Sequence, residues 1–456
     1  MLLITSYSSQ ALTSKTSKII NGNAPYLTFD GGRTRVTNTE GLLGIYLSNG
    51  DKFTPAANNS SLTNPIELPE FGQSFADIGM LVPTDIDSIE LNSLIAPPYN
   101  YWGDDDGDGQ GVDGVIAMGS LSLIIYDKEY RKVARSTPLN ICNAPYKIKL
   151  SNTQGTLKIS YGVPNESRFS AGNTIYYISP KINPDEKERI CFAKPNVQDS
   201  YNPYAGPPSM WDPRWGFITQ STTPSSYDLN FPTSGADGLY FDLDLFNVEQ
   251  PLEWKEVSPN GDIKATMSNS TNTSVRVTLT GPVATKSQWD SSNPGNIARP
   301  SMPQVFELVG RDSNNKEVVK YGFVFKQWFV NRGTGYPAHT YASIASWCTN
   351  FRYRLPKVKD LTNAICSGLG SDSSCKGAVG ATPSSSGDHF QRRIGGGLFS
   401  EWGNMIFYEG ANFGIQHYWT SDDAENSQHF TVDGGRGGVS SNRYAPSGNF
   451  GLCVYP

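Results

Sequence analysis

The stretch Ser346-Trp347-Cys348, continued by Arg352-Tyr353-Arg354-Leu355-Pro356-Lys357-Val358-Lys359-Asp360-Leu361, decides the fold. Pro356 suits the first turn of a helix, where the N–H it lacks would have had no partner. Val358, Leu361 and Ile365 follow at helical spacing and Cys366 stands at the end, so a short amphipathic helix with a fixed start is predicted. Ahead of it, His339 to Asn350 reads as a second helix, with Tyr341, Ile344, Ala345 and Cys348 on one stripe and Trp347 beside them. Two short helices are thus set into a segment that otherwise favours strands and Gly-rich loops. The strand Gly451-Leu452-Cys453-Val454-Tyr455 is expected to close on them.

Further along, Tyr418-Trp419-Thr420-Ser421-Asp422 adds a third marker. A helix ending in Trp-Cys, a Tyr-Arg-Leu-Pro opening the next helix, this Tyr-Trp-Thr-Ser-Asp and a closing Cys453 strand resemble the C-type-lectin-like modules of bacterial surface proteins. Strand-rich segments ahead of such a module resemble enterobacterial adhesins of the invasin and intimin type. The resemblance is specific over residues 336 to 456, weaker over 141 to 335, and architectural before that. It implies a multidomain, mainly β chain: immunoglobulin-like β-sandwich domains followed by an α+β C-type-lectin-like domain. It also implies a bond from Cys348 to Cys453 and an inner pair Cys366 with Cys375, which leaves Cys142 and Cys191 to bridge the start of the middle region. Read from the residues alone, six cysteines leave the pairing open.

The composition agrees with this class. At 456 residues the chain exceeds what one core holds, so several domains are expected. With 45 Gly, 30 Pro and 12% aromatic residues, turn-rich β structure is favoured over helical bundles. The net charge is -6 and no basic cluster exceeds Gln391-Arg392-Arg393, so nucleic acid is not an expected partner. No run of 18 apolar residues occurs, and no spanning helix is expected. Met1-Leu-Leu-Ile-Thr lacks the basic start and length of a secretory signal, so a signal is expected to lie outside this sequence, or export to follow another route. No Cys-x-x-Cys occurs, which disfavours zinc and thioredoxin chemistry and favours disulfides in an oxidising, extracellular or cell-surface setting.

Strand and turn signals divide the chain at 1–140, 141–335 and 336–456. Residues 1 to about 25 read as a linker or edge strand. In the first domain Tyr26–Phe29, Leu43–Leu47 before the turn Ser48-Asn49-Gly50-Asp51, Ser120–Tyr126 and Arg131–Arg135 read as strands of a sandwich. In the second, Lys147–Leu150 and Thr156–Ile159 form a predicted hairpin about Asn152-Thr-Gln-Gly155, and Thr174–Ile178 is another strand. Gly238–Phe246, Ser274–Leu279, Gln304–Leu308 and Tyr321–Val330 are the clearest strands, the last two flanking the turn Asp312–Asn315. Between them Tyr201 to Trp215 is an irregular aromatic loop.

Three groups of residues are candidates for chemistry. Asp104, Asp106 and Asp108, each at an alternate position before Gly109, with Asp113 to complete the set, are oxygen ligands of the kind calcium takes. The twelfth position is Val115 where an EF-hand carries Glu, and a solvated acidic hairpin tip is the competing reading. The histidines 339, 389, 417 and 429 match no zinc spacing and read as scattered surface residues, and no nucleophile-elbow, zincin or phosphate-loop motif occurs, so an enzyme is not expected. Gly395-Gly-Gly397 reads as a turn or bulge.

The third group is a surface. Between Glu401 and Arg443, aromatic and charged residues alternate in Gly- and Asn-rich loops, the usual makings of a binding face. Trp402, Asp422, Asp423, Arg436, Arg443 and Tyr444 are the expected receptor contacts, with Trp419, and on a competing reading Trp402, placed in the core. The calcium-lectin triplets Glu-Pro-Asn and Gln-Pro-Asp are absent, against calcium-dependent sugar binding. A secreted or surface-displayed bacterial adhesin that binds a cell-surface protein or glycan receptor is the leading expectation. A subunit of an extracellular fibre or export system, and a glycan-acting enzyme on the same scaffold, are the alternatives.

Overall fold

Alternation of apolar and polar side chains makes Ser120–Tyr126 a strand with Leu121, Leu123 and Ile125 turned inward, and this strand organises the first of two compact units, Met1–Asn183 and Pro184–Pro456. The computed structural model describes the chain apart from residues 1–20, 106, 108–113, 138, 183–187, 199–200, 202, 334–338, 368–372, 415, 426–427 and 442–448. The linker or edge strand expected at the start lies almost wholly outside the described residues.

In the first unit a five-stranded sheet runs in the order Ile66–Glu67, Gly172–Ser179, Tyr146–Asn152, Ser120–Tyr126, Ser88–Glu90, antiparallel except for the first pair. A three-stranded sheet holds Glu166–Phe169, Gly155–Lys158 and Ile116–Met118. The boundary expected at 140 therefore falls inside a sheet. The predicted hairpin about Asn152-Thr-Gln-Gly155 does not form either, because its two arms belong to different sheets. Two of the passages from one sheet to the other run through a closely packed glycine. A Cβ on Gly119, at φ +105°, would lie 2.9 Å from the Gly155 Cα, and a Cβ on Gly155 would lie 2.4 Å from the Met118 carbonyl oxygen. Gly155 serves close approach, where the sequence reading had taken it for a turn residue. The strand expected at Arg131–Arg135 is reduced to a bridge between Lys132 and Tyr126. Arg135 instead turns inward and donates to the carbonyls of Phe75, Ile78, Val82 and Pro83.

The second unit has a six-stranded antiparallel sheet ordered Trp211–Asp212, Gly216–Ile218, Arg189–Lys194, Tyr240–Phe246, Ser274–Thr280, Lys264–Ser268. Its inward residues Phe241, Val275 and Val277 share a core with Phe306, Phe323 and Phe325 from the sheet Glu253–Trp254, Gln304–Arg311, Glu317–Phe325. The same core continues to Trp347, Trp402 and Trp419, so the boundary expected at 335 separates nothing. The run Tyr321–Val330 is two strands. It breaks at Lys326, whose N–H donates to the Thr233 carbonyl at 2.7 Å, and Gln327–Asn331 then joins a third sheet between Ser234–Ala236 and Leu452–Tyr455.

Helix Tyr341–Asn350 starts on Thr340, whose hydroxyl accepts the Ser343 N–H, and buries Ile344, Trp347 and Cys348. The Cys348–Cys453 disulfide ties it to the strand Leu452–Tyr455. The helix after Pro356 is shorter than expected, Val358–Leu361. It ends because the next residues have better partners outside a helix. Thr362 Oγ1 accepts the Ala364 N–H, and the fully buried Asn363 side chain accepts the Gln391 N–H and the Ser400 hydroxyl and donates to the carbonyls of Gln391 and Pro383.

Helix Leu398–Trp402 carries a fully buried carboxylate, Glu401, into this core. One oxygen accepts from the Thr233 hydroxyl at 2.7 Å, the Gly395 N–H at 2.8 Å and the Thr233 N–H at 3.1 Å. The other accepts from the Ser234 hydroxyl at 2.7 Å, the Ser234 N–H at 3.0 Å and again the Thr233 N–H at 3.1 Å. Burial pushes the Glu401 pKa up, and these donors partly offset that. Beside it the buried Arg392 guanidinium donates to the carbonyls of Glu401 and Asn196 and lies 4.8 Å from the Trp211 ring centre. Gly403, at φ +79°, leaves room for it, since a Cβ there would stand 2.0 Å from the guanidinium.

Glu401→Gln is expected to destabilise the second unit by about 3 kcal/mol in chemical denaturation, because an amide NH2 group faces donors whichever way it turns. A loss below about 1 kcal/mol would show that the carboxylate is not the acceptor these donors need.

Candidate binding face

Three antiparallel strands, His417–Asp423, His429–Asp433 and Val439–Ser441, build the face to which the expected contacts Asp422, Asp423 and Arg436 belong. Tyr418, Phe430 and Val432 point into the core, which leaves His417, Asp433 and Ser440 on the outer side. Trp419 is buried: its indole N–H donates to the His339 carbonyl at 2.8 Å and its ring meets Tyr341 edge-on at 5.8 Å. His417 Nδ1 lies 3.3 Å from the Thr431 hydroxyl and 3.5 Å from that of Ser440, and its Nε2 is 3.9 Å from Asp433. Burial holds the His417 pKa below the usual imidazole value against the opposing pull of Asp433, so the ring is neutral at pH 7. The 3.9 Å separation is beyond a hydrogen bond. His417 thus stands between the hydroxyls of Thr431 and Ser440 on one side and the Asp433 carboxylate on the other.

At the turn between the last two strands, Asp433 Oδ1 accepts the N–H groups of Gly435 and Arg436, each at 2.7 Å, and the Asp433 carbonyl accepts the Gly437 N–H at 2.8 Å. Gly437 sits at φ +70°, and a Cβ on it would lie 2.8 Å from both Phe390 and Thr362 Oγ1. The turn is thereby pinned while the Arg436 side chain stands exposed, with no ion pair among the described residues.

The other expected contacts separate. Asp423 is displayed, its side chain 83% exposed and 3.0 Å from His429 Nδ1, and the His429 ring stacks on Tyr341 with centres 3.4 Å apart. Asp422 is turned to the scaffold: its carboxylate accepts the Val358 N–H at 2.6 Å, at the start of helix Val358–Leu361, where the backbone dipoles favour negative charge. Trp402 is not a contact. It is fully buried, its indole N–H donates to the Ser234 carbonyl at 2.8 Å, and Phe231 and Tyr408 pack on its ring. Arg443 and Tyr444 lie outside the described residues. In the aromatic loop Tyr201–Trp215, Trp211 is buried beneath Arg392 while Tyr201 stands exposed.

Of the proposed calcium ligands, Asp104 is buried and Asp106, Asp108 and Asp113 lie outside the described residues. Asp105, not among them, pairs with Arg35 and accepts the Tyr26 hydroxyl at 3.1 Å. No group of three acidic, His or Cys side chains suited to a metal occurs among the described residues. Cys366 is bonded to Cys375; Cys142, in the first unit, and Cys191, in the second, are also disulfide-bonded. No helix among the described residues is long and apolar enough to cross a membrane.

One residue that sequence reasoning had treated as part of a helix supports the face from beneath. Asp360 is buried and accepts from Arg354 at 2.6 Å, the Lys357 N–H at 2.7 Å and Gln327 at 3.0 Å. Burial works to raise its pKa, and these bonds outweigh burial, so its carboxyl titrates below the ordinary range.

No known protein family matches the chain, and no curated protein matches it. Among solved structures, intimin-190 from enteropathogenic E. coli aligns at 16% identity with a TM-score of 0.26, over 50% of this chain and 90% of that one. SGBP-B of the Bacteroides ovatus mixed-linkage glucan utilization locus, solved in complex with a mixed-linkage heptasaccharide, aligns at 9% identity with a TM-score of 0.16, over 51% of this chain and 66% of that one.

Two expectations follow from this geometry. Trp419→Ala should cost about 3–5 kcal/mol by emptying a core position, measured as a fall in the melting temperature of the second unit; an unchanged melt would place Trp419 outside the core. Asp360→Asn should cost about 2 kcal/mol at neutral pH. Since the folded-state pKa is depressed, that difference should hold above pH ~4, the unfolded value, and vanish as pH falls through the folded value. A difference that is the same at pH 3 and pH 7 would contradict the assignment.

Proposed function

We propose that this protein is a secreted or surface-displayed adhesin whose second unit combines an immunoglobulin-like sandwich with a C-type-lectin-like module and binds a cell-surface protein or glycan receptor through the outer face of His417–Ser441. The observation that carries the reading is the pinned turn at Arg436. An exposed guanidinium on a backbone already fixed by Asp433 loses little conformational freedom when a partner engages it, and it offers a fork of donors to a carboxylate. His417 and Ser440 add polar groups on the strands beside this turn, Asp423 stands exposed at the other end of the sheet, and the buried Trp419 helps hold the face rigid. The disulfides support an oxidising location outside the cytoplasm. The arrangement favours binding over catalysis, and the receptor contacts do not involve the acidic segment that begins at Asp104.

Arg436→Ala should weaken attachment to receptor-bearing cells about tenfold, since a well-placed interface arginine is worth more than ~1 kcal/mol. Its melting temperature should stay within about 2 °C of wild type, because exposed turn substitutions of this kind change stability by less than ~0.5 kcal/mol. Attachment equal to wild type would remove this face from the function. Chelation of divalent cations should leave attachment unchanged.

A further inference from the structure

A cleft of about 360 Å³ opens in the first unit where the short antiparallel pair Tyr26–Leu27 and Trp102–Gly103 comes together. Five aromatic side chains line it: Tyr26, Phe29, Tyr99, Tyr101 and Trp102. They are held in place from behind. The Tyr26 ring lies on the Gly103 backbone, where a Cβ would come within 2.7 Å of it, and its hydroxyl is bound by Asp105. Phe29 rests on Tyr46 with ring centres 5.3 Å apart. The Tyr99 and Tyr101 rings stand 5.8 Å apart at 57°, separated in sequence by Asn100, whose left-handed φ of +53° and carbonyl bond to the Trp102 N–H at 2.9 Å fix the turn.

The polar groups at this cleft fall into two sets. The charged ones are already satisfied: Asp105 by Arg35 and Tyr26, Asp85 by the Tyr99 hydroxyl at 3.0 Å, and Asp30 by Thr28 and Thr34. Three neutral ones make no side-chain hydrogen bond among the described residues: the Tyr101 hydroxyl, the Trp102 indole N–H and the Asn100 carboxamide, all on residues at least partly exposed. A site with aromatic walls, neutral donors and acceptors to spare and no charged residue among its described lining is complementary to an uncharged, polyhydroxylated ligand. The C–H faces of a sugar ring pack against the electron-rich faces of aromatic rings, and its hydroxyls bond to amide, phenol and indole groups. The volume is near the lower end of the ~300–1,000 Å³ typical of small-ligand sites, which suits a short stretch of glycan.

We propose that the cleft formed by Tyr26, Phe29, Tyr99, Asn100, Tyr101 and Trp102 is a binding site for a neutral saccharide, separate from the receptor face of the second unit. The Tyr99-Asn100-Tyr101-Trp102 segment provides most of it, and the two sites act independently.

The test is a glycan array carrying neutral and sialylated oligosaccharides with proline-rich peptides as additional spots, probed with the full chain and followed by calorimetric titration of the strongest neutral oligosaccharide. Retention on neutral glycans is expected, with affinity unchanged between 50 and 500 mM salt because no charge is engaged, a range over which screening changes about threefold in length. Trp102→Ala and Asn100→Ala should each weaken binding at least tenfold. Trp102→Phe keeps a ring and loses the N–H; it should fall between and melt as wild type, which separates loss of contact from loss of fold. Arg436→Ala should bind the neutral glycans as wild type does. Failure to retain any neutral glycan, or retention confined to sialylated or proline-rich spots, overturns the proposal. So does binding that survives Trp102→Ala or disappears with Arg436→Ala, the last result moving the sugar to the second unit.

Discussion

The second unit depends on one buried anion. Glu401 brings together Thr233 and Ser234 from the middle of the chain, Gly395 from the glycine turn, and helix Leu398–Trp402, on which it sits. A carboxylate in a core is costly unless its acceptor sites are filled, and here each oxygen receives bonds from hydroxyl and backbone donors. That requirement joins segments that a purely apolar core would let slide past one another. It also fixes the neighbours: Trp402 is anchored to the Ser234 carbonyl and Tyr408 to the Trp402 carbonyl, while Arg392 binds the Glu401 carbonyl. The six-stranded sheet and the C-terminal sheet therefore share one core.

The binding face inherits its rigidity from this base. Its buried residues Tyr418, Phe430 and Val432 on one side and Trp419 on the other are core, and Asp360 and Asp422 hold the segment after Pro356 against it. What projects is a small set of polar groups on a frame that does not need to reorganise. The first unit offers a different kind of surface, aromatic and uncharged. If both proposed sites bind, one chain would engage a charged partner and a neutral polymer with little competition between them.

Much of this was legible in the residues. Ser120–Tyr126 and Ser274–Thr280 alternate cleanly and are strands, and the stripe of Ile344 and Cys348 marks the helix Tyr341–Asn350. What was not legible was partner choice. Nothing local says that Tyr146–Asn152 and Gly155–Lys158 enter different sheets, because a glycine needed for close approach looks the same as a glycine needed for a turn. Tyr321–Val330 reads as one apolar run since its break at Lys326 is set by a carbonyl distant in sequence, that of Thr233. Val358–Leu361 stops early because Thr362 and Asn363 find bonds that no periodicity reveals. At the site, display of Asp423 and Arg436 and burial of Trp419 could be anticipated, whereas Trp402 could have faced either way until Glu401 beside it was known to be buried. The run Tyr99 to Trp102, three aromatics in four residues, was a signal that pattern reading passed over because it belongs to no periodic element.

The pairing of Gln327–Asn331 with Leu452–Tyr455 has a consequence in time. The middle strand of that sheet is made more than a hundred residues before its neighbour, and until the latter arrives one edge of the sheet and the partner of Cys348 are both missing. A chain synthesised from its N-terminal end would thus keep this sheet open until Leu452–Tyr455 docks. Docking of that strand acts as a latch, closing a loop across a long span whose entropic cost grows only slowly with length.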